Sequence, residues 1–179
     1  RLHASLHESV LDDEYLSLAL RYNDHHFHWG YFAFAAAVVG SVLSGDADGG
    51  GGDVGRAAAL RALALDIANP LEENAGLSPG GGAFAARSAR FPVARHKDFF
   101  DGHSWAAGLF ARANGASQES VSEAAHAYFA VALLARSPAL GARDDALADW
   151  AQLLLGLELA AARRYWHVGD ARDAAAGGG

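Results

Sequence analysis

Apolar residues recur at helical spacing through most of this chain, and the alternation that marks half-buried strands is absent. This periodicity predicts an all-α fold. About six helices without paired strands are typical of a small bundle or of an incomplete helical assembly. The helices we expect span residues 2–21, 31–43, 56–67, 103–111, 118–135 and 144–165.

Three stretches interrupt the helical pattern. Residues 45–55 contain a run of four glycines and cannot bury apolar area, which predicts a flexible loop inserted between helices. Residues 70–102 are rich in glycine, proline and aromatic residues, as in long functional loops. Residues 174–179 form a low-complexity tail, so the sequence predicts one partial helical domain at 1–173.

Composition narrows the classes of function. The 14 Lys and Arg against 21 Asp and Glu give a net charge of −7, which argues against nucleic acid as a partner. The longest apolar runs fall short of the ~20 residues that span a bilayer, so we expect no membrane insertion. The chain has no cysteine, which excludes disulfides and thiolate metal sites. It begins at Arg1 and has no methionine, which predicts a piece of a longer chain.

The segment 22–31, Tyr-Asn-Asp-His-His-Phe-His-Trp-Gly-Tyr, surrounds a single carboxylate, Asp24, with aromatic rings and imidazoles. A carboxylate among aromatic rings loses hydration, which raises its pKa toward the range that a general acid needs. We expect the flanking histidines to be neutral, because cationic imidazoles would lower the pKa of Asp24 again.

The segment 97–105 brings Asp98, His103 and Trp105 together with further aromatic rings. Sugars bind to such mixtures, because aromatic faces cover the apolar face of a pyranose while polar groups bind its hydroxyls. This segment is therefore a candidate sugar-binding loop.

The segment 118–124 contains Glu119 and Glu123, which would share one face of a helix at i, i+4 spacing. Each feature also has a purely structural interpretation: the glutamates as a solvated face, Asn23 or Asp24 as a helix cap, and the histidines as core residues. An acid among aromatic rings, a glutamate pair and a sugar-binding loop are together typical of a glycosidase.

These segments also resemble a known family. The decapeptide at 22–31, Lys-Asp at 97–98 with Gly-His-Ser-Trp-Ala at 102–106 and Gly-Leu at 108–109, and the blocks at 118–124 and 127–128 resemble, in the same order, the motifs of glycoside hydrolase family 81. The resemblance covers roughly residues 11–166. It departs from the family pattern at Trp29, Ala107, Val121 and His126, and no departure removes a carboxylate.

The resemblance implies an endo-acting β-1,3-glucanase of the inverting type, on part of an (α/α)6 barrel, that needs no metal and no cofactor. Asp24 would be the general acid and Glu123 the general base, with Glu119 positioning water or substrate; the two glutamates could exchange roles. His28 would orient Asp24 or a sugar hydroxyl. Inversion requires room for water, so we expect about 6.5–9.5 Å between the carboxyl groups of Asp24 and Glu123.

The expected partners are a β-1,3-glucan and the remainder of the catalytic chain, N-terminal and C-terminal to these residues. An incomplete barrel exposes apolar faces, so the isolated 179 residues should be poorly soluble or weakly active. The family suggests an extracellular or cell-wall location. The candidate substrate-binding residues are Tyr22, Asn23, His25, Trp29, Tyr31, Asp98, His103 and Trp105.

The sequence also permits two other functions. One is a metal-dependent hydrolase, since carboxylate and imidazole are ordinary metal ligands. The other is a glucan-binding or inactive fragment. The side chains that the metal interpretation would use are Asp24, His25, His26, His28 and His103.

Overall fold

The structure, a computed structural model, describes residues 24–43, 54–70, 91–110 and 115–167. Within these ranges the fold is all-α, as the sequence predicts, and isolated β-bridges pair Ala68 with Ala94 and Lys97 with Ser104. The helices are α1 (His25–Leu43), α2 (Val54–Ile67), α3 (Val121–Arg136) and α4 (Asp145–Tyr165), with a 3-10 turn at Pro138–Leu140 between α3 and α4.

Most of the predicted helices within the described ranges are confirmed, with shifted ends. α1 begins at His25, not Tyr31, so the aromatic decapeptide is largely helical. α2 begins at Val54, inside the stretch that we expected to be a loop. The predicted helix at 2–21, most of the predicted insertion at 45–55, residues 71–90 and the tail at 174–179 lie outside the described residues.

The predicted helix at 103–111 is wrong for its described part, 103–110. The backbone N–H groups there donate to distant partners: that of Trp105 to His96 O at 3.0 Å and that of Ala106 to Ser117 O at 2.8 Å. Gly108 adopts a φ of 108°, which a helix does not contain. Tertiary hydrogen bonds therefore outweigh the local preference for a helix.

α1 packs on α3 and on the 3-10 turn that follows it, through a stripe of small residues spaced three and four residues apart: Gly30, Ala33, Ala37 and Gly40. A Cβ atom on Gly40 would approach the Ala139 Cβ to 2.6 Å. Glycine at position 40 leaves room for this close contact between α1 and the 3-10 turn. The stripe brings residues on the flanks of α1 within reach of α3.

α4 packs on the opposite side of α3, where leucines form the core. Leu134 of α3 and Leu147 and Leu154 of α4 are fully buried, and each contributes about 1.5–3 kcal/mol. Asp144 caps α4 by accepting a hydrogen bond from Leu147 N at 3.0 Å, and it also forms an ion pair with Arg61 of α2. The Asp144 carboxylate thus caps the N-terminus of α4 and links α4 to α2 through the ion pair.

Residues 91–110 form neither a helix nor a strand. They contact the end of α2, where Arg95 N donates to Ile67 O at 3.0 Å and the Arg95 side chain forms an ion pair with Asp66. Among the described residues, no helix is both long enough and apolar enough to cross a membrane.

Candidate active site

Asp24 occupies the position immediately before α1, with a left-handed φ of 54°. Its N–H donates to Ala106 O at 2.9 Å, and its carbonyl accepts a hydrogen bond from His28 N at 3.0 Å. The backbone of this carboxylate is therefore fixed on both sides. His28 lies one helical turn further on and is exposed.

The buried residue Ala106 forms backbone hydrogen bonds with both chain segments that contain the candidate carboxylates. Its carbonyl accepts from Asp24 N, and its N–H donates to Ser117 O, two residues before Glu119. The Nδ1 atom of His96 lies 3.0 Å from the same carbonyl. The entry to α1 and the entry to α3 are therefore both hydrogen-bonded to one buried residue, Ala106.

Glu119 and Glu123 do not share a helical face, which corrects the expected i, i+4 pair. α3 begins at Val121, and Ser120 is its N-cap, accepting a hydrogen bond from Glu123 N at 3.3 Å. Glu119 lies before the helix, exposed, with a φ of 69°. A serine followed three residues later by glutamate is a typical helix start, and that spacing could have predicted the boundary.

Glu123, in the first turn of α3, accepts a hydrogen bond from the Tyr31 hydroxyl of α1, with 2.9 Å between Tyr31 O and Glu123 Oε1. This hydrogen bond raises the pKa of Tyr31 above its ordinary value, because the phenolate would lose it. One candidate substrate-binding residue is thus a direct partner of a candidate catalytic carboxylate.

The histidines that follow Asp24 differ in environment. His26 is fully buried, and burial lowers its pKa well below the ordinary value, with the nearby His96 adding to the effect. His26 is therefore neutral, as expected beside Asp24. His25 Nδ1 accepts a hydrogen bond from Trp29 Nε1 at 3.3 Å and lies 3.7 Å from a carboxylate oxygen of Asp66.

Asp98 organises the turn that follows it. Its Oδ1 atom accepts hydrogen bonds from Phe100 N at 2.9 Å and Asp101 N at 3.1 Å. Its Oδ2 atom accepts from Trp105 Nε1 at 3.3 Å. The hydrogen bond from Asp101 lowers the pKa of Asp98 most, so this carboxylate stays ionised and holds the Trp105 ring in place.

His103 is buried rather than presented on the surface. Its ring makes edge contacts with Trp105 and Trp166, at centroid distances of 4.5 and 4.9 Å. It therefore supports Trp105 from within. The two remaining candidates, Tyr22 and Asn23, lie outside the described residues.

A buried ion pair that the sequence did not reveal lies beneath this loop. Lys97 Nζ donates to Glu158 Oε2 of α4 at 2.8 Å, and both side chains have no exposed surface. Burial lowers the pKa of Lys97, while the Glu158 charge opposes that shift. Ser104 N donates to the same Glu158 oxygen at 3.0 Å, and Ser104 Oγ lies 2.6 Å from the Tyr128 hydroxyl.

A sequence signal for Glu158 existed. It continues the buried stripe of α4 through Leu147, Ala151 and Leu154, at spacings of three and four residues. A charged residue at an apolar position of a helix indicates a buried partner.

The candidate residues do not form a metal cluster in the part of the chain that is described. No three His, Asp or Glu side chains there converge so that they could hold a metal ion. A cavity of about 320 Å³ lies between the start of α2 and the 3-10 turn, lined by Arg61, Leu140 and their neighbours. It contains none of the candidate residues.

Comparison with known proteins agrees with the motifs. The model of the glycosyl hydrolase family 81 C-terminal domain matches residues 19–176. The chain belongs to glycoside hydrolase family 81. A solved family 81 structure from Clostridium thermocellum superposes with a TM-score of 0.55 and 32% identity, covering 80% of this chain and 17% of that one.

Curated relatives carry names of one kind. The primary septum glucan endo-1,3-beta-D-glucosidase of Schizosaccharomyces pombe is 33% identical over 149 residues, which are 83% of this chain and 12% of that protein. The glucan endo-1,3-beta-D-glucosidase of Glycine max is 31% identical over 147 residues, 82% of this chain and 19% of that protein. The chain thus spans less than one fifth of either relative.

Proposed function

We propose that this family 81 chain contributes the reacting carboxylates of an enzyme that hydrolyses internal β-1,3-glucosidic linkages with inversion. Residues 1–173 would be one part of the helical catalytic domain, which the remainder of a longer catalytic chain completes. The names of the relatives, glucan endo-1,3-beta-D-glucosidases, support this substrate class.

The observation that most supports the proposal is the pair of backbone hydrogen bonds made by Ala106. Inverting hydrolysis needs an acid on one side of the scissile bond and a base on the other. Through the two backbone hydrogen bonds of Ala106, the segment that presents Asp24 and the segment that leads to Glu119 and Glu123 are tied to one buried point. That arrangement suits two carboxylates from distant parts of the sequence that act on one sugar.

In the proposed reaction, Asp24 protonates the departing glycosidic oxygen while Glu123 accepts a proton from the attacking water. Tyr31 donates to Glu123 Oε1, which leaves Oε2 for the water. Glu119, exposed just before α3, would bind the water or a sugar hydroxyl. We expect about 6.5–9.5 Å between the Asp24 and Glu123 carboxyl groups, since the water must fit between base and sugar.

Trp105, braced by Asp98 and His103, offers a ring for the apolar face of a glucose unit. His28 is exposed one turn after Asp24 and would bind a sugar hydroxyl or Asp24 itself. The other proposed substrate-binding residues are Tyr22, Asn23, His25, Trp29 and Tyr31.

The test is digestion of laminarin by the full-length protein and its Asp24→Asn and Glu123→Gln variants, with the first anomer released followed by NMR. We expect α-anomer release from the parent and losses of about 10²–10⁴-fold in each variant. Initial β-anomer release would refute inversion. Laminarin binding without hydrolysis by the parent would favour the glucan-binding alternative.

A further inference from the structure

His126 of α3 lies beneath the ring of Tyr31. The two ring centroids are 5.1 Å apart with an interplanar angle of 34°, and Phe34 contacts the His126 ring at 5.2 Å. Because Tyr31 and Phe34 are three residues apart on α1, His126 contacts two successive side chains of one helix face.

Glu123 and His126 are likewise three residues apart on α3, so Tyr31 lies over both. Its hydroxyl contacts the carboxylate and its ring contacts the imidazole. Since 50% of the Tyr31 surface is exposed, its inner contacts with α3 must hold the ring in place.

The His126 imidazole packs against the rings of Tyr31 and Phe34. Its Nε2 atom is buried and has no hydrogen-bond partner among the described residues.

We propose that His126 is a positioning residue, whose ring holds Tyr31 so that the phenol donates to Glu123 and fixes the orientation of that carboxylate. The inference deepens the proposed function and rests on it, since it concerns the base of that reaction. Without the His126 ring, Tyr31 would move away, and Glu123 would lose the hydrogen bond that directs its free oxygen toward water.

The kinetic test uses the full-length protein with His126→Ala, His126→Phe and the matched control Phe129→Ala. Phe129 is an aromatic residue of the same helix that contacts Phe34, at 6.4 Å between ring centroids. We expect His126→Ala to lower kcat on laminarin about tenfold with a smaller change in KM, since a displacement of 1 Å can cost about 100-fold. His126→Phe should retain most of kcat, and Phe129→Ala should leave it unchanged.

A double-mutant cycle with Tyr31→Phe separates positioning from general destabilisation. If His126 acts through Tyr31, His126→Ala lowers kcat only where the phenol is present and has little further effect in Tyr31→Phe. Equal losses in both backgrounds would overturn the proposal.

A readout independent of activity is the titration of Tyr31, followed by NMR of ¹³C-labelled tyrosine and assigned with Tyr31→Phe. The hydrogen bond to Glu123 raises the pKa of Tyr31, so His126→Ala should bring it back toward the ordinary value. An unchanged titration would refute the role of His126 even in a protein that hydrolyses no glucan. A shifted titration in a protein without hydrolysis would support it and refute only the proposed function.

Discussion

Gly30 of α1 lies directly against Ala127 of α3: a Cβ atom built on Gly30 would come within 2.7 Å of the Ala127 Cα and 2.9 Å of its Cβ. The next residue of α1 is Tyr31, and Glu123 and His126 lie on the same part of α3. The reach of the phenol to the carboxylate therefore depends on this close approach of the two helices.

Gly30→Ala should destabilise the protein by about 1–3 kcal/mol, because the new methyl group meets backbone that must shift. Gly156→Ala is the matched control, since a Cβ there meets nothing within 4 Å in the middle of α4. It should instead stabilise by about 0.5–1 kcal/mol. Urea unfolding of both variants checks this, and a stabilised Gly30→Ala would contradict the tight contact.

Lys97→Met should cost about 3–5 kcal/mol, since it leaves the Glu158 carboxylate buried without its cation. Lys97→Met combined with Glu158→Gln removes both charges and keeps an oxygen that can accept from Ser104 N. We expect the double variant to be more stable than Lys97→Met alone by at least about 1 kcal/mol, measured by urea unfolding. If the losses of stability of Lys97→Met alone and Glu158→Gln alone add up to the loss of the double variant, the two charges do not interact.

The helices could be predicted from the sequence because apolar periodicity records which face is buried. α4 was predicted to within one residue, since its core leucines repeat regularly and Asp144 caps it. Residues 25–30 of α1 could not be predicted as helix from apolar periodicity, because only one of their buried residues, Phe27, is a large apolar residue, and the other two are His26 and Gly30.

The candidate residues could be named from the sequence, but several of their contacts could not. Asp98 proves to brace Trp105, and His103 supports the same ring from the interior. The sequence predicts a helix at 103–111, but in the described part, 103–110, backbone N–H groups donate to acceptors outside the segment, such as Ser117 O for Ala106 N. Local patterns contain no information on such partners.

Stability should fall as the pH drops below about 6.5, the ordinary histidine pKa, because unfolded His26 takes up a proton that the folded protein refuses. The folded pKa is lowered by burial, and the nearby His96, Arg95, Lys97 and His25 oppose a further positive charge. His26 alone contributes a slope of at most about 1.4 kcal/mol per pH unit.

Replacing His26 by leucine should flatten this part of the pH dependence, measured as the urea midpoint between pH 7 and pH 5. His167→Gln is the control, because His167 is exposed at the end of α4 and should leave the slope unchanged. If the urea midpoints of the parent and of His26→Leu change with pH in parallel, His26 takes up its proton as readily in the folded state as in the unfolded state.

Azide should distinguish the two glutamates. Removing the proposed base by Glu123→Ala should lower kcat about 10²–10⁴-fold, because water would then attack without losing its proton to a carboxylate. Azide needs no deprotonation, so added azide should restore part of the rate and yield an α-glucosyl azide, identified by NMR. Glu119→Ala should lose activity without azide rescue, because the proposed base Glu123 remains and keeps its hydrogen bond from Tyr31. Rescue of Glu119→Ala instead would exchange the two roles, and the exposed glutamate ahead of α3 would then be the base.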